Sequence, residues 1–298
     1  MATIQTVDIV AAAKERLVLR QALPYPPGLT VHPVWRKHQE HMRACLPELR
    51  DAETVIWFGQ TNTNSGFNHR TLVTPKNLIK QAADLLHRYP DYDIGWNGLC
   101  ESPLSSPGTV GSLFGTKFSN IFFWHLEAYT ACVTRLCPEP KRILEIGGGM
   151  GELARLFKLA HPDVHYTIVD LPESLFFAEV YLRAHFPDGD FQFIPVQEIQ
   201  SLQGIPYDLA INQGSFQEMT ASGLEYWLGF LEDSQCRAFY SLNYKETRII
   251  LSNQWREVYR ETNPPPIFAD APRDWLALGL ERRYGIVTDG QGNGAQGS

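Results

Sequence analysis

The chain has 298 residues, enough for one large domain or two modest ones, each with a proper core. Its hydrophobic (44%) and charged (20%) fractions are those of a folded chain and exclude a disordered one. A formal net charge of -7 with no long Lys/Arg run argues against nucleic acid as a partner, because such binding draws its affinity from a basic surface.

At the N-terminus Lys14, Glu15 and Arg16 interrupt a mildly apolar start, so no signal core is present, and no stretch is long enough to cross a bilayer. The five cysteines (Cys45, Cys100, Cys132, Cys137, Cys236) are odd in number and form no C-x-x-C pair. Neither a disulfide framework nor a zinc knuckle is indicated, and a cytoplasmic location is expected. Residues 1–118 read as a mostly helical region with irregular connections. Pro24, Pro26, Pro27 and Pro33 make a loop that leads into a helix over 34–45. Thr74 caps a second helix over 75–88, with Leu78, Ala82, Leu85 and Leu86 on one face. Residues 91–116 are rich in Gly, Pro and Ser and read as a long loop; an aromatic-rich helix over 119–136 follows.

From Lys141 the pattern changes. Apolar runs at 142–146, 166–169, 191–195, 208–211 and 238–242 alternate with helical stretches at 151–160, 173–185, 223–231 and 247–260. Such alternation with short links predicts an α/β fold, a Rossmann-like parallel sheet covered on both faces, occupying 119–288. The Gly/Gln/Asn-rich tail 289–298 reads as disordered. In such sheets ligands bind at the carboxyl ends of the strands.

The strongest motif is Ile143-Leu144-Glu145-Ile146-Gly147-Gly148-Gly149-Met150-Gly151-Glu152, a glycine turn between a predicted strand and helix. A dinucleotide fingerprint counted from Gly147 and Gly149 needs glycine at 152, where Glu152 stands. An anionic side chain at a helix N-terminus repels a pyrophosphate, whereas a sulfonium donor brings no phosphate. The spacing Glu145, Gly147, Gly149, Gly151 resembles motif I of class I S-adenosylmethionine (SAM)-dependent methyltransferases. Asp170, some 20 residues on, ends the next strand where a carboxylate can accept both ribose hydroxyls, with Leu171 beside it. The resemblance implies SAM as cofactor and places Val196 and Gln197, after the third strand, around the adenine. It places Asn212 and Gln213, at the end of the fourth, beside the methionine portion.

The run Asn212-Gln213-Gly214-Ser215-Phe216-Gln217-Glu218-Met219, with Leu242-Asn243-Tyr244 after strand five, resembles the sugar O-methyltransferases of natural-product pathways. The O-methyltransferase domains of polyketide assembly lines are a competing resemblance. Either implies a small-molecule hydroxyl acceptor, free or carrier-bound. A non-catalytic SAM-binding scaffold is the reading from another class. Removing a hydroxyl proton needs a base. Glu218, just past strand four, and two histidines, His125 and His69, are the candidates; a His–Glu pair would orient and charge-stabilise the imidazole. The aromatic-rich N-terminal region is expected to act as a lid over the acceptor. His32, His38 and His41 have metal-like spacing but no carboxylate cluster beside them, so no metal is expected. Asn263-Pro264-Pro265-Pro266 resembles the N-P-P-aromatic motif of adenine-N6 methyltransferases, yet proline stands where a ring must stack, so it is read as a loop.

Overall fold

The computed structural model describes residues 3–61, 75–90, 99–105, 111–113, 116–262 and 275–283. His69, Thr74, residues 263–266 and the tail 289–298 therefore lie outside the described residues.

Four helices open the chain: α1 (Thr3–Gln21), α2 (Pro33–Cys45), α3 (Ala52–Thr61) and α4 (Pro75–Arg88). A short hairpin, β1 (Gly111–Leu113) with β2 (Thr116–Phe118), spans the end of the stretch expected to be loop. Helix α5 (Asn120–Arg135) is capped by Ser119, whose hydroxyl accepts from Phe122 N at 3.0 Å. Then β3 (Arg142–Ile146), α6 (Glu152–Ala160), β4 (His165–Asp170), α7 (Pro172–His185), β5 (Phe191–Pro195), β6 (Pro206–Gln213), α8 (Ala221–Asp233) and β7 (Gln235–Tyr244) alternate as expected. Leu85 of α4 is buried as its predicted face requires, whereas Leu86 is exposed.

One expected element is wrong. Residues 247–260 were expected to be helical, but they are loop followed by strand β8 (Trp255–Thr262). Strand β8 pairs antiparallel with β9 (Trp275–Arg282), a strand absent from the sequence reading. In β8 only Trp255 is buried, and Arg256, Glu257 and Arg260 face solvent. A charged, bulged strand is how a sheet blunts its outer edge, and its residues show no clean alternation.

The seven strands run in the order β5-β4-β3-β6-β7-β9-β8. The first five are parallel; β9 is inserted antiparallel between β7 and β8. This is the Rossmann-like α/β sheet expected from the sequence. Alternate residues face opposite layers. Ile143, Tyr166, Ile168, Leu209, Ile211 and Tyr240 pack under α5, α6 and α7, while Leu144, Ile146, Val169, Ala210 and Phe239 meet Trp227 and Leu231 of α8. From β3 the strands step outward to β4 and β5 on one side and to β6 and β7 on the other. The crevice beyond the carboxyl ends of β3 and β6 is the switch point where such folds hold ligands.

Helices α1, α2 and α3 lie against α7 and contribute Val10, Leu17, Met42, Val55 and Ile56 to the same core. Two buried carboxylates of α7 tie them down. Glu173 accepts from Gln21 (2.7 Å), Gln39 (2.6 Å) and Arg43 (2.7 Å), and Glu179 pairs with Arg16 (2.7 Å) and Arg20 (2.9 Å).

Candidate active site

The turn after β3 is built for a backbone that comes close to what it binds. Gly147, Gly149 and Gly151 all have positive φ (77°, 56° and 84°), a region open to glycine and costly for other residues. Gly147 N donates to Val169 O (2.8 Å), which locks the turn to β4, and Gly151 N donates to Gly148 O (2.9 Å). Gly151 is the left-handed N-cap of α6, and a Cβ there would lie 2.9 Å from Leu182. It keeps α6 close to α7, while Glu145, Gly147, Gly148 and Gly149 line the cavity.

Asp170 closes the far side of the turn. Its Oδ2 accepts from Gly149 N (2.9 Å) and its Oδ1 from Leu171 N (2.7 Å), so each oxygen keeps a lone pair for another donor. Burial raises its pKa to about 6 against the pull of those amides. Glu145 accepts from Tyr166 OH (2.9 Å), and burial raises its carboxyl to about 8, with Asp170 adding to the rise. Glu152 also faces the cavity. Against the cost of burial it is held below the usual carboxylate range by Arg155, which donates to both of its oxygens (2.5 and 3.0 Å), and by Tyr181. Because Arg155 compensates this charge, what argues against a dinucleotide here is the side chain at 152 rather than net repulsion.

Helix α5 presents two stripes. Phe122, Leu126, Tyr129 and Val133 enter the core, and Ile121, Trp124 and His125 line the cavity. His125 Nδ1 lies 2.8 Å from Gln213 Oε1, and Gln213 Nε2 donates to Trp124 O at 3.0 Å. Burial lowers the imidazole pKa, Glu152 and Gln213 oppose that, and Arg155 reinforces it. The His–Glu pair is not formed. His125 Nδ1 takes the neutral Gln213, and Glu218 accepts from Trp35 Nε1 (2.9 Å) on α2. Glu218 ends a short 3-10 turn at the cavity mouth; it is solvent-reachable yet hemmed in by protein, and burial raises its carboxyl to about 7.

The cavity, about 290 Å³, thus gathers Glu145, Gly147, Gly149, Asp170, Leu171, Val196, Gln213, Glu218 and His125 from the expected residues. Asn212 and Gln197 are not among its walls. The Asn212 carboxamide is buried in a clamp joining three strands: it donates to Ile146 O (2.8 Å) and Ser215 Oγ (2.5 Å) and accepts from Phe216 N and Asn243 Nδ2. Gln197 follows Val196 with its Oε1 buried and unpartnered. The sequence reading missed the part played by Gly214, and it named Trp35 and Trp124 only among the aromatics of the expected lid. Gly214 has φ 73°, and a Cβ on it would lie 2.7 Å from the Trp124 ring. Trp35 arrives from a distant helix, which no local pattern announces. Among the described residues no group of three or more His, Cys, Asp or Glu could hold a metal. His32 caps α2, His38 meets Trp35 edge-on (5.2 Å) and His41 stacks on Phe58 (6.0 Å). No described helix is long and apolar enough to cross a membrane.

The group these walls fit is S-adenosylmethionine. The cavity's acidic walls, with Glu152 held ionised and Glu145, Asp170 and Glu218 offering hydrogen-bond acceptors, suit a donor carrying a sulfonium and an ammonium. The backbone turn, with Gly147 and Gly149 at positive φ, admits its close approach.

No protein-family model matches the chain, and no curated protein matches it. Among solved structures, it is similar to the N-methyltransferase NodS from Bradyrhizobium japonicum WM9, at 12% identity over 55% of this chain and 97% of that one (TM-score 0.44). The ribosomal protein L11 methylase from Lactobacillus delbrueckii subsp. bulgaricus is 16% identical over 54% of this chain and 80% of that one (TM-score 0.39). TrmK from M. capricolum, in complex with S-adenosyl-homocysteine, is 10% identical over 48% and 62% (TM-score 0.36). At this distance the likenesses say nothing of acceptor or reaction.

Proposed function

We propose that the chain is a SAM-dependent O-methyltransferase acting on the hydroxyl of a small molecule, a sugar or polyketide intermediate, free or carrier-tethered. One observation carries the reading: a single cavity is lined by the glycine turn, Asp170, His125 and Glu218. Bound S-adenosylmethionine would supply a methyl group already activated by its sulfonium, with the thioether as leaving group. The protein's work is to align the acceptor oxygen and remove its proton. His125, neutral in its buried setting, takes that proton, and Glu218, at the mouth beside Trp35, is set to accept a second acceptor hydroxyl. Asp170 and the Gly147–Gly149 backbone would hold the donor. Rings of Trp35, Trp124, Tyr244 and Trp275 around the space offer apolar faces to a sugar or polyketide.

The test combines calorimetry with S-adenosylhomocysteine and turnover on panels of hydroxylated glycosides and polyketides. The wild type should bind the product and methylate a member of one panel. His125→Asn should keep that binding and lose roughly 10²–10⁴-fold in rate. Binding without turnover on any hydroxylated compound would instead favour a scaffold, and absence of binding would end the reading.

A further inference from the structure

We infer that Gln213 is a positioning residue: its carboxamide, pinned by the Trp124 carbonyl, holds the His125 imidazole with its proton on Nδ1 and leaves the Nε2 lone pair as the proton acceptor. The inference rests on the methyl-transfer reading only for what that lone pair then deprotonates.

The argument is one of donors and acceptors. A backbone carbonyl cannot donate, so the Gln213 atom 3.0 Å from Trp124 O must be the amide nitrogen. That assignment turns Oε1, which can only accept, toward His125 Nδ1 at 2.8 Å. Two acceptors at that distance repel, so Nδ1 must carry a hydrogen, and in a neutral imidazole the other nitrogen is then bare. The reversed amide would set oxygen against the carbonyl and forfeit that bond. The pin is also rigid. Gln213 is the last residue of β6, in register with Leu242 of β7, and the next amide, Gly214 N, donates to Leu242 O at 2.8 Å. The carboxamide therefore hangs from the sheet while the imidazole hangs from α5, and their bond sets one element against the other.

Glutamine suits this task where glutamate would not. A carboxylate at 213 would fix the same tautomer but would also stabilise the imidazolium and raise its pKa. The charged groups felt by the ring are Glu152 and Arg155, which are paired with each other and act in opposite directions. A neutral partner thus orients the ring without charging it, and the base stays unprotonated.

The experiment is ring-nitrogen NMR of the full chain labelled with ¹⁵N-histidine, with the His125 signals identified by their loss in His125→Asn. In the wild type, two-bond correlations should show Nδ1 protonated and Nε2 bare. Gln213→Met should shift His125 toward the Nε2–H form that free imidazole prefers. Gln213→Glu should keep the Nδ1–H form and raise the His125 midpoint by about one unit or more. The acid limb of the kcat/KM profile should move in the same direction. Nε2–H in the wild type, or a tautomer indifferent to Gln213→Met, would overturn the inference, even if methyl transfer were established. Conversely, the tautomer result stands if no donor binds, so the two readings fail separately. If Gln213 only braced Trp124, neither the tautomer nor the midpoint would move.

Discussion

Glu145, in β3, is 2% exposed, with a hydrogen bond from Tyr166 to support it. Burial makes its charged form unfavourable, and the raised pKa has a definite sign in stability. Between the ordinary 4.5 and about 8 the folded chain holds a proton that the unfolded chain has released. The folded state binds more protons there, so stability falls as pH rises through that window, and no penalty exists below it. Asp170 adds the same sign over a narrower range, from 3.8 to about 6. Glu145→Gln retains an acceptor for Tyr166 and has no charge to bury. Thermal melts should place the variant near the wild type at about pH 4.5 and clearly above it at about pH 8, by a few kcal/mol. An equal difference at both pH values would mean that the carboxyl is not held protonated by its surroundings.

At the scale of elements, the end of β6 controls how α5 meets the sheet. Gly214 occupies the left-handed region, and its missing Cβ is where the Trp124 ring lies, at 2.7 Å. Gly204 has nearly the same backbone (φ 78°) with nothing within 4 Å, which separates backbone strain from crowding. Gly204→Ala should cost about 1 kcal/mol from conformation alone. Gly214→Ala should cost that plus about 1–3 kcal/mol of overpacking. It should also displace Trp124, and with it the carbonyl that pins Gln213, so turnover should fall further than stability accounts for. Equal losses in denaturant melts would refute the crowding. What could be read beforehand follows the same division. The strands β3 to β7 were legible because a strand buried on both faces is a short apolar run, and the glycine turn was legible because its chemistry is local. Strand β8 was not: its outward charges and its aromatics Trp255 and Tyr259, four apart, mimic a helix face. His125 could be listed as a candidate, but its partner could not, since Gln213 lies 88 residues away and meets it only through the docking of α5 on β6.

The N-terminal region was expected to act as a lid over the acceptor. Its packing points elsewhere. Phe58 of α3 stacks on Phe177 of α7 at 5.8 Å, and Gly59 lies so close to the glycine turn that a Cβ would sit 2.3 Å from Met150 Sδ. The same region delivers Trp35 to Glu218 at the cavity mouth, so one layer both completes the core and shapes the site. Deleting residues 1–50 would bare the face of α7 that Val10, Leu17, Met42 and Leu49 cover, each 2% exposed or less. At about 1.5–3 kcal/mol for each fully buried side chain, those four alone rival the whole stability of a typical domain, about 5–15 kcal/mol. The truncated chain should therefore show no cooperative melt by circular dichroism and no calorimetric binding of S-adenosylhomocysteine. A truncated chain that melts cooperatively and binds the product, but turns nothing over, would restore the detachable lid. Loss of the fold itself would mean that the acceptor wall and the donor site are parts of one cooperative unit, because α7 carries α1, α2 and α3 on one side and braces the glycine turn on the other.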